Sequence, residues 1–155
     1  MTWSIMARDR DTGQFGIAVA TRFFAVGALV PHVKSRIGAI TTQGLINPFY
    51  GTEGLRLLEQ GRTARDVVSA ITAADAGRDH RQVHVVDALG RIAAHTGKAC
   101  IDWCGHLARD NISVAGNMLV NARVIEDTAT TLKECRTLLS SPAHRSAARR
   151  RGGGR

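Results

Sequence analysis

The sequence predicts a mixed α+β fold with antiparallel strand pairing, and three observations carry that expectation. Strand-like segments open the chain, two helical stripes follow as a block, further strands come next, and one helix closes the order. Turn residues join neighbouring strand segments closely enough for hairpins. Helices that are grouped, not alternated with strands, argue against a doubly wound parallel sheet.

Ser4–Ala7 and Phe15–Thr21 read as strands joined by the Asp11-Thr12-Gly13 turn. Phe23–Val30 is a short apolar run with Gly27 inside it and Pro31 after it, equally readable as strand or buried loop. After Val33–Arg36, the small and β-branched segment Ile37–Thr42 reads as a strand ended by Gln43-Gly44, with a turn at Asn47-Pro48. A first helix is expected over about Thr52–Gln60, with Leu55 and Leu58 on one face and Gly61 at the stop position. A second begins at Thr63, with Asp66 three residues on as an approximate capping box. Its apolar stripe is Ala64, Val67, Val68, Ile71 and Ala74, and Gly77 ends it.

Gln82–Val86 and Arg91–Thr96 flank Asp87–Gly90 as a second hairpin, and Gly97–Arg109 reads as a loop. Ile112–Ala115 is a short strand ending at Gly116-Asn117, and a last helix spans roughly Val124–Leu139. The chain then divides into a domain over 1–139 and a disordered Arg/Gly-rich tail over 140–155, whose composition cannot build a core.

The chain has 155 residues, 44% apolar and 5% aromatic, enough for one domain with a core of small aliphatic side chains. Its net charge of +8 is a tail property: five arginines follow Ser140 with no acid, and without them 16 basic residues face 13 acidic ones, a net of +3. The tail could neutralise phosphates, but it lacks interleaved aromatics and the body contains no recognition module. Nucleic acid is therefore not expected as a partner of the body, and translation of a GC-rich stretch explains the tail better than a selected arm. No run reaches membrane-spanning length, and Arg8–Asp11 interrupt the start before a signal-peptide core develops, so a cytoplasmic location is expected. Three cysteines, an odd number, argue against a disulfide framework.

Cys100, Cys104 and His106 have loose zinc spacing without a fourth ligand at a telling distance, so neither a metal nor another cofactor is expected. His80, His84 and His95 read as structural or surface residues. Polar residues at strand ends carry more. Arg22, Gln43, Gly44 and Asn117 each sit where a strand stops, and strand ends are rigid places from which groups converge on a cleft. Gly44 also allows a ligand close to a backbone N–H, as an oxyanion site needs. Thr2 is the residue left at the start once the initiator Met is removed. Its hydroxyl beside a free α-amine makes nucleophile and base in one residue. On these residues alone an ordinary strand start is the better reading of Thr2.

Thr2–Asp9, Gly16–Pro31, Ile37–Gln43, Asn47–Gly51, Gly54–Leu58, Arg81-Gln82, Val85–Asp87, His95–Gly97, Trp103–Gly105 and Gly116–Leu119 together resemble the family known as domain of unknown function 1028. The likeness runs from residue 1 to about residue 126. The family is placed with the N-terminal-nucleophile (Ntn) hydrolases, which implies an αββα sandwich whose first strand offers its leading residue as nucleophile. The resemblance implies an amide-bond hydrolase acting on a small-molecule or peptide amide, with Thr2 attacking and its amine taking the proton. Only Thr2 carries over on the logic of that fold. Gly44 as the oxyanion position, and Arg22, Gln43 and Asn117 as groups orienting amine or substrate, rest on their places at strand ends.

Family members carry a small residue where His84 stands and Ala where Cys104 stands, and they continue past the point where this chain becomes its tail. The sandwich is therefore expected to be incomplete at the C-terminus, as in a truncated product. An exposed sheet edge would then favour pairing with a second copy. The alternative is a catalytically silent, hydrolase-shaped binding or assembly protein.

Overall fold

The computed structural model describes residues 1–140, with side chains described to residue 135. It contains two four-stranded antiparallel sheets and four helices. The first sheet has the order β2-β1-β8-β7, formed by β1 (Thr2–Arg8), β2 (Phe15–Thr21), β7 (Trp103–Arg109) and β8 (Ile112–Leu119). The second has the order β3-β4-β5-β6, formed by β3 (Pro31–Lys34), β4 (Gly38–Gly44), β5 (Arg81–Asp87) and β6 (Ile92–Thr96).

Period-two alternation in the central strands gives each sheet two buried faces. Trp3, Ile5 and Ala7 of β1, with Ile112 and Val114 of β8, pack against Ile125 and Ala129 of helix α4 (Arg123–Ser140). Ile40 of β4, with Val83 and Val85 of β5, packs against Tyr50 and Leu58 of helix α2 (Phe49–Glu59) and Val67 and Ile71 of helix α3 (Ala64–Ala73). The intervening residues, Ser4, Met6, Ala39, Thr41, Gln43, Gln82, His84, Val86, Ser113 and Asn117, are buried where the two sheets face each other. Helices thus cover the outer face of each sheet.

The expected hairpins over Ser4–Thr21 and Gln82–Thr96 are present, and the Ile112 strand runs on to Leu119. The Thr63–Asp66 capping box is complete: Thr63 Oγ1 accepts from the Asp66 N–H, and Asp66 Oδ2 accepts from the Thr63 N–H, both at 3.2 Å. Helix α3 ends at Ala73, before Gly77, and α2 begins at Phe49 directly after Pro48, earlier than the leucine spacing indicates. The ambiguous Phe23–Val30 run holds a single helical turn, α1 (Val26–Leu29), entered through Ala25 in the left-handed region at φ 54°.

The segment read as a loop over Gly97–Arg109 contains strand β7, paired to β8. An outer strand buries only part of each side chain, so β7 lacks the apolar alternation that marks a strand in sequence. His84 and His95 do not face each other: β5–β6 pairing sets His84 opposite Ala94 and His95 opposite Val83. The expected tail over 140–155 lies outside the described residues apart from Ser140, the last residue of α4.

Candidate functional site

The β1–β2 and β1–β8 registers place Thr2 directly opposite both Thr21 and Asn117. Thr2 shares its face of β1 with Ser4 and Met6, so it lies at the end of the seam between the sheets, half-buried. Its Oγ1 is 2.8 Å from Thr21 Oγ1. Thr21 in turn donates to the Met1 carbonyl at 3.2 Å, which leaves the Thr2 hydroxyl as donor in the Thr–Thr bond.

A cleft of about 540 Å³ opens beside Thr2. Thr21, Arg22, Gln43 and Gly44 line its polar part, and Val26, Leu29, Val30, Leu45, Ile46 and Pro48 its apolar part. A second cavity of about 270 Å³ lies between His80, Cys100, Ile101 and Asn117. Gly44, Leu45 and Met118 line both, so the two adjoin. Of the five residues singled out in the sequence, Thr2, Arg22, Gln43 and Gly44 line the first cavity and Asn117 the second.

Gly44 ends β4 at φ +80°, where a Cβ would stand 2.8 Å from the His80 carbonyl oxygen. That conformation and that approach both call for glycine. Successive N–H groups of a strand point to opposite neighbours. Leu45 N–H donates to His80 O at 3.0 Å on the β5 side, and Thr42 N–H to Val30 O at 3.2 Å on the β3 side. The Gly44 N–H therefore turns to the β3 side, beyond the last pairing of that strand at Pro31–Thr41, where the cleft lies.

Behind the cleft, seven polar residues form a continuous buried network: Ser4, Thr41, Gln43, Gln82, His84, Ser113 and Asn117. Its proton arrangement follows from backbone carbonyls, which can only accept. Gln82 Nε2 donates to the Gly105 and Gly116 carbonyls, each at 2.9 Å, so Gln82 Oε1 must accept. It accepts from Gln43 Nε2 at 2.7 Å and Asn117 Nδ2 at 3.1 Å. Gln43 Oε1 then accepts the Ser4 hydroxyl proton at 2.8 Å. With that proton used, Ser4 Oγ accepts from His84 Nε2–H at 2.9 Å, and His84 Nδ1 accepts from Ser113 at 2.8 Å. Complete burial pushes the His84 pKa down to about 3, and the neutral ring this leaves is what makes Nδ1 the acceptor.

The same orientation leaves Asn117 Oδ1 buried and without a hydrogen-bond partner among the described residues. An unused buried acceptor costs about 1–3 kcal/mol, and this one belongs to a residue that lines the second cavity. Gln43, in contrast, is committed at both ends of its amide and serves as a support. Arg22 is exposed and makes no ion pair or hydrogen bond among the described residues.

Sequence reasoning missed Ser4, Thr41, Gln82 and Ser113, and named His84 only as a structural or surface residue. The available signal was a polar residue on alternate positions of strands otherwise apolar, repeated in four strands. Cys100 and Cys104 are free thiols, with Cys104 Sγ donating to the Cys100 carbonyl at 3.8 Å. Burial, reinforced by Cys104, raises the pKa of Cys100. His106 is held by Thr96 at 2.9 Å, and burial depresses its pKa. Among the described residues no helix is long and apolar enough to cross a membrane.

No curated protein matches the chain. The crystal structure of protein SPO2555 from Silicibacter pomeroyi, itself assigned to the DUF1028 family model, is similar at 36% identity and a TM-score of 0.78 over 81% of this chain. The chain spans 58% of the length of that protein. The family model described as "Family of unknown function (DUF1028)" matches residues 2–148. With that match over most of its length, the chain belongs to the DUF1028 family.

Proposed function

We propose that this chain is an amide-bond hydrolase of the Ntn type, an αββα sandwich whose nucleophile is Thr2 after removal of Met1. The observation that carries the proposal is the position of Thr2: the first strand residue, at the mouth of a cleft, paired directly with Thr21 and Asn117. Two helix-covered sheets packed face to face support the layering.

Loss of Met1 frees the Thr2 α-amine and removes the carbonyl that Thr21 donates to. The Thr21 proton can then turn to Thr2 Oγ1, and the Thr2 proton to its own amine. Directly opposed residues hold their Cβ atoms about 4.5–5.5 Å apart, so the unpartnered Asn117 Oδ1 is the natural acceptor for the new amine. In the first step Thr2 Oγ1 bonds to the substrate carbonyl carbon as the α-amine takes its proton. The Gly44 N–H faces the developing oxyanion. Collapse breaks the C–N bond, and the amine product leaves with the proton held by Thr2. Water then cleaves the Thr2 ester, releasing the acid and restoring the hydroxyl.

Mass spectrometry after treatment with an acylating p-nitrophenyl ester tests the mechanism. Expected is a chain starting at Thr2 that carries one acyl group on that residue and none in Thr2→Ala. An acylated chain that still begins with Met1 would refute it. One observation favours a catalytically silent binding protein instead: no acidic or basic side chain hydrogen-bonds to Thr2 among the described residues. Acyl transfer lost in folded Thr2→Ala would exclude that alternative.

A further inference from the structure

The large cleft is divided by chemistry. Its polar groups, Thr2, Thr21, Arg22, Gln43 and Gly44, belong to strand ends and the residue after β2. Most of the rest of its wall comes from α1 and the segment after β4 and is apolar, with Val26, Leu29, Val30, Ile46 and Pro48. Among the described residues no acidic side chain lines it. Arg22 is the one charged side chain among the described residues of the lining, near the amine at the chain start, and it makes no ion pair among them. A volume of about 540 Å³ is in the range of small-molecule sites.

We infer that the cleft takes a medium-chain apolar acyl group with its carboxyl carbon at Thr2, so that N-acyl amines are the substrate class and the fatty acid released is a ligand. The assignment of the acyl group to a hydrolytic step rests on the reading of Thr2 above; recognition of the acid does not. A peptide in the same cleft would leave its backbone amides against the Val26–Val30 and Ile46–Pro48 walls, where unmatched polar groups are costly. An alkyl chain buries those walls without that cost. The unpaired guanidinium meets the negative charge that hydrolysis generates at the carboxyl carbon, and the absence of acids in the lining disfavours amines in its place.

Isothermal titration of the full chain with octanoate tests this, with octyltrimethylammonium as the charge-reversed probe. Octanoate is expected to bind and the ammonium is not. Arg22→Gln is expected to weaken octanoate by about fivefold, the range of an exposed ion pair. Leu45→Asp, at an exposed position in the lining, is expected to abolish binding. Binding of octanoate needs no turnover, so its titration is read separately from acylation of Thr2. Equal binding of both probes, no binding of octanoate, or an unchanged affinity in Arg22→Gln would overturn it even if Thr2 is acylated. Octanoate binding without any acylation of Thr2 would retain the ligand class and remove only the hydrolytic step.

Discussion

His84 offers the sharpest test of the buried network. The folded protein holds it neutral, with its pKa lowered from 6.5 to about 3 because burial penalises the imidazolium. The unfolded chain takes up a proton as the pH falls through about 6.5, while the folded chain stays neutral until about 3. The unfolded state therefore binds more protons across this window. Stability from His84 is fully present above the unfolded value and is lost as the pH falls towards the folded one. Linkage puts that loss at about 1.5 kcal/mol between roughly pH 6.5 and roughly pH 5.

His84→Gln removes the titration while keeping a donor for Ser4 and an acceptor for Ser113. Urea unfolding of parent and variant at those two pH values gives the comparison. His106 is depressed in the same direction and is common to both proteins, so it cancels in the difference. The depressed carboxylates Asp66 and Asp75 lose their contribution only as the pH falls below the ordinary carboxylate value of 3.8. If the variant loses as much stability as the parent over this window, the neutral buried His84 and the proton arrangement deduced around it are wrong.

Two further substitutions probe the scaffold behind the cleft. Asp75 accepts from Arg81 Nε at 2.7 Å, Tyr50 OH at 2.8 Å and Gly77 N–H at 2.7 Å, and the Arg81 pair is largely shielded, with 16% and 15% side-chain exposure. Asp75→Asn should lower stability by about 2–4 kcal/mol in a urea titration, because it strands the guanidinium; a change within experimental error would show that solvent takes up the pair. At Gly97 a Cβ would collide with the backbone carbonyls of Arg78 and Asp79, which cannot swing away as a side chain can. Gly97→Ala should cost about 1–3 kcal/mol, read as a lower thermal midpoint, and an unchanged midpoint would show that the Arg78–His80 turn yields freely.

Elements whose signal is local are legible in the chain alone. The Thr63–Asp66 box and the Val67–Ile71 stripe place α3 because capping and helical periodicity act within a few residues. The small, β-branched run ending at Gln43-Gly44 and the Asp87–Gly90 turn likewise mark β4 and the β5–β6 hairpin. Strand β7 was not legible, because its residues gain their strand character only from pairing with β8. The strand-end residues could be named from sequence, but their meeting could not. Thr2 comes beside Asn117 across more than a hundred residues only through the β1–β8 register, and beside Gly44 only through the packing of one sheet on the other. The roles within that group are also tertiary. Gln43 is consumed by Ser4 and Gln82, and Asn117 keeps an open acceptor, because the carbonyls of Gly105 and Gly116 set the direction of every amide between them. Residue chemistry is carried by the chain, but which hydrogen bonds are left unmade is decided only when both sheets close on each other.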